Sequence, residues 1–365
     1  MPPAPLVIGH RGVPGLRLEH TRPSYLLAIE HGCDYIEPDV VATKDGVLVV
    51  RHENDIGNTT DVSSRPEFAH LKVSKIIDGV PHTGWFTEDF TLAEIKTLRV
   101  RERLPQLRPQ NIRLAHTEQI LTFDEVLTIA EEASVGRPEP VGVYVETKHP
   151  TYFQGIGLDL NDLLIADLER RRVNHAGARI IIQSMETANL KALRPRTPLT
   201  LIQLMDRQGA PYDLKAAGDA RTYRNLRKVP ELEEIASYAD GIGPNKSQVI
   251  KRDLMGRLAG ETKLVRRAHR LGLVVHIWTM RSENNFLPAN LRLSRDKAAH
   301  GDAVGEYLAF FNAGVDGVFS DFTQTAVRAR SQWLAGQSSS ATTVPAQQRS
   351  LTDASASAPT RPRSR

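Results

Sequence analysis

The stretch D-Y-I-E-P-D-V-V-A-T-K-D-G-V-L-V-V-R-H, residues 34–52, decides how this chain is read. It holds two short apolar, β-branched runs, 35–40 and 47–51, separated by the tight Lys44-Asp45-Gly46 turn. A turn that short joins antiparallel neighbours, so 47–51 is expected to fold back beside 35–40. Within the first run Glu37 and Asp39 stand two residues apart, which puts both side chains on one face of a strand. Two carboxylates on the inner face of an otherwise apolar strand are costly unless positive charge meets them.

Working outward, similar runs recur at 6–9, 142–146, 179–183, 199–204, 241–243, 273–278 and 317–320. Amphipathic stretches lie between them at 22–31, 123–133, 157–172, 187–193, 231–237, 256–271, 304–312 and 323–334. This alternation is the signature of parallel β/α units. Nine strands, one of them the local return, predict an α/β fold: a TIM (β/α)8 barrel over residues 1–335. A doubly wound open sheet competes with it, but that fold calls for G-x-G-x-x-G after the first strand, and H-R-G-V-P-G at 10–15 is not that loop. Residues 53–119 contain few periodic runs and carry Trp85, Phe86 and Phe90. They are expected to form a cap inserted after the second barrel strand's hairpin, over the barrel mouth. Residues 336–365, rich in Ser, Ala and Arg, are expected to be a disordered tail.

The net charge is +4, but the tail holds Arg349, Arg361, Arg363 and Arg365 against Asp353 alone, so the body is nearly neutral. Net charge therefore argues against nucleic acid or an anionic membrane as partner. Cys33 is the single cysteine; no intrachain disulfide is possible, and it is expected to be a small buried apolar residue. No apolar run is long enough to span a bilayer, so no stable membrane insertion is expected. The N-terminus lacks a charged segment followed by an apolar one, so the chain as written is expected to be cytoplasmic. A secreted or periplasmic protein whose signal had been removed would read the same.

In a β/α barrel the chemistry stands at the C-terminal strand ends. The first strand delivers His10 and Arg11, the second Glu37 and Asp39, its return strand His52, and the third Glu146 with Lys148 beyond it. Later strands deliver Gln183, Gln203, Trp278 and Asp321. Glu37, Asp39 and Glu146 offer hard oxygen donors, which suits Ca²⁺ or Mg²⁺ and argues against zinc or copper. The alternative is that the Glu37–Asp39 pair is neutralised by Arg11 or Lys148. Two histidines near neutral pKa can divide the work of general base and general acid. Arg11 offers a planar fork of donors suited to phosphate oxygens. The remaining histidines, His20 and His149 among them, show no metal-ligand spacing and receive no role.

The motifs I-G-H-R-G at 8–12, L-E-H-T at 18–21, V-E-T-K at 145–148, H-I-W-T at 276–279 and A-G-V-D-G-V-F-S-D at 313–321, with the opening stretch, resemble the glycerophosphodiester phosphodiesterase family. Thr60-Asp61-Val62 and F-T-L-A-E-I-K-T-L at 90–98 are similar to its periplasmic or secreted calcium-dependent branch with a long insertion. The resemblance implies a barrel that hydrolyses glycerophosphodiesters, small-molecule substrates, to glycerol 3-phosphate and an alcohol. It implies that Glu37, Asp39 and Glu146 bind the metal, Ca²⁺ in that branch, and that His10 and His52 are the acid–base pair. Arg11 and Lys148 would hold the phosphate, Gln183 would join the substrate contacts, and Trp278 would wall the glycerol side unless it is a core aromatic. The competing activities are phospholipase D-like cleavage of lysolipids and hydrolysis of glycerol-phosphate polymers such as teichoic acid. The sequence departs from the family at His20, where Asn is usual, at 120–123, which lacks a proline, and after Asp321.

Overall fold

Inward-facing side chains set the architecture. In the computed structural model, which describes residues 3–341, the strands are β1 (Leu6–His10), β2 (Tyr35–Glu37), β3 (Asp39–Ala42), β4 (Leu48–Val50), β5 (Val73–Ile77), β6 (Val80–Gly84), β7 (Gly142–Thr147), β8 (Ile180–Ser184), β9 (Thr200–Met205), β10 (Gly241–Pro244), β11 (Ile250–Arg252), β12 (Leu258–Glu261), β13 (Val274–Met280) and β14 (Gly317–Ser320). Parallel pairing runs β2–β1–β14–β13–β10–β9–β8–β7 and returns from β7 to β2, which closes an eight-stranded barrel. β3 continues β2 beyond Pro38 and pairs with β7, and β4 folds back antiparallel on β3. The run expected at 35–40 is thus one strand broken at its proline, which has no N–H to give the ladder.

Helices Arg22–Glu30, Phe123–Ser134, Leu160–Arg170, Thr187–Leu193, Val229–Ala236, Leu264–Arg270, Ala303–Asn312 and Thr323–Ala341 follow the barrel strands. Their starts follow ordinary capping chemistry. Thr122 and Glu125 form a reciprocal capping box on Phe123–Ser134, and the Asp159 side chain accepts the backbone N–H of Asn161. The last helix continues past Gly336 to Ala341, so the expected tail does not begin at 336; its remainder lies outside the described residues. Cys33 is buried, as expected.

The lumen is filled by Ile8, Tyr144, Ile181, Ile202 and Phe319. Two residues further along those same strands come His10, Glu146, Gln183, Leu204 and Asp321. The period of two therefore stacks a ring that is polar except at Leu204 directly on an apolar plug. Register then sets the neighbours within the ring: His10 lies beside Glu37, Asp39 beside Glu146, and Glu146 beside Gln183.

Two expectations are corrected. The helix expected at 256–271 is a β11–β12 hairpin followed by the helix Leu264–Arg270. Gly256 at φ +76° and Gly260 at φ +95° adopt backbone that a helix does not use. The second concerns Trp85, Phe86 and Phe90, which as part of the cap at 53–119 were expected to stand over the barrel mouth. That segment holds the β5–β6 hairpin and short helical turns. Phe86 and Phe90 are fully buried, Trp85 donates its indole N–H to the Phe68 carbonyl (2.8 Å), and these rings pack the segment's own interior instead of shaping the cavity at the barrel mouth. What the segment does send toward the strand ends is Arg108, which donates to Asp321 and, at 2.8 Å, to Glu283.

Candidate active site

The H-R-G turn after β1 aims two side chains at once. Arg11 (φ 57°) and Gly12 (φ 89°) occupy left-handed backbone, and a Cβ on Gly12 would meet Ser24 Oγ at 2.4 Å, so only glycine fits there. The turn leaves the Arg11 N–H donating to Glu37 (2.8 Å). His10 Nδ1 pairs with Asp321 Oδ1 at 2.6 Å, and His52 Nδ1 pairs with Glu53 Oε1 at 2.6 Å. Each imidazole is therefore oriented by a carboxylate on one nitrogen, leaving Nε2 for chemistry. Lys148 Nζ stands 3.4 Å from His52 Nε2 and 2.8 Å from Glu146.

His10, Arg11, Glu37, His52, Glu146, Lys148, Gln183 and Trp278 line one cavity of about 190 Å³. Asp39 is fully buried at its floor. Glu37, Asp39 and Glu146 bring one oxygen each to within 4.8 Å of one another. Asp39 Oδ1 is buried with no hydrogen-bond partner. Such a trio fits a hard divalent cation, because hydrogen bonding alone leaves an acceptor unused. Burial and the neighbouring Asp39 charge push the Glu37 carboxyl well above its usual range. Burial also raises Glu146, to about 7, against the pull of Lys148. Asp39 goes the other way: burial opposes its ionisation, but His20 and Arg11 hold it well below the usual range. Burial and the Arg11 charge lower His10 to about 4, and burial with Arg11 and Lys148 lowers His52 to about 3. These shifts favour the neutral imidazole, the form a proton acceptor takes.

Two assignments are more engaged than the sequence suggested. Arg11 reaches the cavity, yet its guanidinium also contacts Glu19 and Asp39, each at 3.2 Å, so the expected competing ion pair is partly realised. Gln183 donates its amide to Glu37 at 3.1 Å, which spends it on the carboxylate trio and leaves Gln183 Oε1 buried without a partner. Trp278 walls the cavity while its N–H donates to Gly243 at 2.7 Å.

The sequence profile of the Glycerophosphoryl diester phosphodiesterase family matches residues 10–325. The chain belongs to that family. It is 34% identical over 334 residues to a glycerophosphodiester phosphodiesterase of Arabidopsis thaliana, covering 87% of this chain and 84% of the relative. A glycerophosphodiester phosphodiesterase of Haemophilus influenzae is 27% identical over 342 residues, with 88% of each chain covered. An Oleispira antarctica phosphodiesterase, solved with the product sn-glycerol-3-phosphate, superposes with a TM-score of 0.57 at 19% identity, covering 89% of this chain and 96% of that one. At that identity the likeness speaks for the barrel.

This glycerophosphoryl diester phosphodiesterase site has a support layer that sequence reasoning left without roles. His20 bridges Asp39 (2.9 Å) and the Tyr25 hydroxyl (2.8 Å), fixing the deepest carboxylate. It lies inside the L-E-H-T motif, so a signal existed. Asp321 stood among the strand-end residues without a partner, and here it accepts from His10, Arg108 and Arg281. Arg108, within the irregular segment, gave no sequence signal. His149 joins Glu53 Oε2 (3.0 Å) to Asp78 Oδ2 (2.6 Å), so Glu53 holds one histidine on each oxygen.

That last arrangement makes a pH prediction. Burial alone would lower His149, but Asp78 and Glu53 outweigh it and raise the imidazole to about 9. Its ordinary value is 6.5, so the stabilisation is full below pH 6.5 and is lost as pH rises through about 9. With screening at the half-exposed Glu53 it amounts to about 1–2 kcal/mol, or roughly 2–3 °C for a domain of this size. His149→Gln is expected to remove that decline from a Tm-against-pH series. An unchanged slope would show that the pairing contributes nothing.

Proposed function

We infer that the protein hydrolyses glycerophosphodiesters to sn-glycerol 3-phosphate and an alcohol with a divalent cation bound, Ca²⁺ in preference to Mg²⁺. The observation that carries this reading is the convergence of two carboxylate-backed histidines on one cavity floored by three oxygen-only ligands. Glu37, Asp39 and Glu146 hold the cation; when bound it supplies positive charge against the phosphoryl oxygens as negative charge builds there.

The chain's own groups do the rest. Arg11 and Lys148 receive the phosphodiester oxygens, and the arriving anion offsets the cationic field that depresses both histidines. Asp321 and Glu53 keep the imidazoles in the tautomer with Nδ1–H, so each presents Nε2 to the cavity. One imidazole takes the proton of the attacking hydroxyl, from water or from the glycerol 2-position; in the second case water then opens the resulting cyclic phosphate to glycerol 3-phosphate, with the two histidines exchanging roles. The other imidazole, protonated at Nε2 as well once the bound phosphodiester anion has offset that field, gives this proton to the departing alkoxide. Trp278 and Phe286 wall the cavity and limit the water around the reacting phosphorus.

The test is an assay of purified protein on glycerophosphocholine with Ca²⁺, with Mg²⁺ and with EGTA. Glycerol 3-phosphate and choline should appear in equal amounts, faster with Ca²⁺, and EGTA should stop the reaction. Inactivity on the choline, ethanolamine and glycerol diesters with every cation would overturn the reading.

A further inference from the structure

Beside the catalytic cavity the barrel's C-terminal face carries a hairpin that the reaction does not use. β10 ends at Pro244, Asn245 and Lys246 line the cavity, and the chain then enters β11 and β12. The tip between them is a built turn. Asp253 Oδ1 accepts the N–H groups of Met255 (2.9 Å) and Arg257 (2.8 Å), and the Gly256 N–H donates to the Asp253 carbonyl (3.0 Å). Turn tips of this kind are normally polar. This one holds Leu254 at 108% and Met255 at 67% relative exposure, two of the most exposed large apolar side chains described.

A second loop supports the first. It leaves β13 after Met280 through Arg281 and Phe286, which line the cavity together with Thr279 of the strand. Ala289 N–H donates to the Gly256 carbonyl (2.8 Å), Leu258 N–H to Asn290 Oδ1 (3.0 Å), and Arg252 to the Phe286 carbonyl (2.7 Å). This loop exposes Leu293 at 74%. The two segments, 250–261 and 281–302, carry Lys251, Arg252, Arg257, Arg281, Arg292, Arg295 and Lys297 against Asp253, Glu261, Glu283, Asp296 and Asp302, an excess of two cations; Glu283 is spent on Arg108 and Arg281 on Asp321. Arg252 is partly drawn to Glu306 at 3.7 Å; the excess is cationic all the same.

We propose that the β11–β12 hairpin and the loop beneath it form a docking surface for an anionic lipid bilayer, with Leu254 and Met255 entering the headgroup boundary and the surrounding lysines and arginines facing the lipid anions. Two bulky, exposed apolar residues on a hydrogen-bonded hairpin turn, with Arg252 and Arg257 on either side, have the distribution that interfacial binding requires. A stable protein partner would require a broad, well-packed patch, and this apolar surface is confined to a few side chains. Both loops also form part of the cavity wall, so docking carries the active site to the membrane surface. The proposal stands independently of the reaction assigned above, since its readout is binding.

The experiment is co-sedimentation of the full-length protein with vesicles of phosphatidylcholine alone and of equal parts phosphatidylcholine and phosphatidylglycerol. Binding is expected to the anionic vesicles and to be much weaker to the neutral ones. Lys251→Gln with Arg257→Gln should lower the partition coefficient on the order of 20-fold, about fivefold per charge. Leu254→Ser with Met255→Ser should lower it about tenfold or more. Both pairs lie outside the catalytic machinery, so hydrolysis of soluble glycerophosphocholine and the Tm should be retained, which excludes misfolding as the cause. These variants leave the arginines near the C-terminus in place, so binding through those would survive and overturn the proposal. Failure of the native protein to bind anionic vesicles would overturn it too. So would sedimentation equilibrium showing that Leu254 and Met255 drive self-association while vesicle binding is unchanged by their loss.

Discussion

Alanine in place of His10 or His52 is expected to lower kcat about 10²–10⁴-fold while the protein stays folded. The rate loss follows from removing the one group at each position able to move a proton within the cavity. The retained fold follows from what each histidine leaves behind. Without His10, Asp321 keeps Arg108 and Arg281. Without His52, Glu53 keeps His149. Neither carboxylate is stranded as a buried unpaired charge, the usual cause of large destabilisation at such sites. Because the two imidazoles serve the two ends of one displacement, the double variant should be little slower than the worse single one. Asp321→Asn and Glu53→Gln should fall between native and alanine rates, since they disturb tautomer and orientation but leave the imidazoles. Near-native turnover in both single alanine variants, measured as glycerol 3-phosphate release at saturating substrate, would remove the acid–base assignment.

The side chains that line the cavity were more legible in the sequence than the groups that hold them, and the reason is geometric. His10, Glu37, Glu146 and Gln183 sit at the ends of short strands, where a period of two and parallel register decide which side chains meet. Local pattern therefore suffices. His20, Glu53 and His149 lie in loops whose partners are fixed by tertiary packing, at separations of 19 residues for His20–Asp39 and 96 for His149–Glu53. Nothing in local periodicity encodes such contacts. The error at 256–271 has the same origin: Leu258, Val265 and Leu271 satisfy a helical spacing, but Gly256 and Gly260 at positive φ impose a turn, and Leu258 enters a strand.

Glu37→Gln is expected to abolish activity and yet leave the cation-free protein as stable as the native one or more so. In the native chain Glu37 and Asp39 are buried side by side, with Glu146 close by, and each ionised carboxylate raises the cost of the next. Glutamine removes one of those charges while its carbonyl can still accept from Arg11 N–H, which now donates to Glu37 at 2.8 Å. The same change takes an anionic ligand from the cation site. Added Ca²⁺ should stabilise the native protein by about 2.7 kcal/mol at a hundredfold excess over Kd, roughly 4–6 °C for a domain of this size. The variant should lose most of that rise, and EDTA should bring the native protein to the same inactive state. A merely structural Glu37 predicts the opposite pattern: a lower cation-free Tm with an intact response to Ca²⁺. Differential scanning fluorimetry with and without the cation, run beside the glycerophosphocholine assay, separates the two.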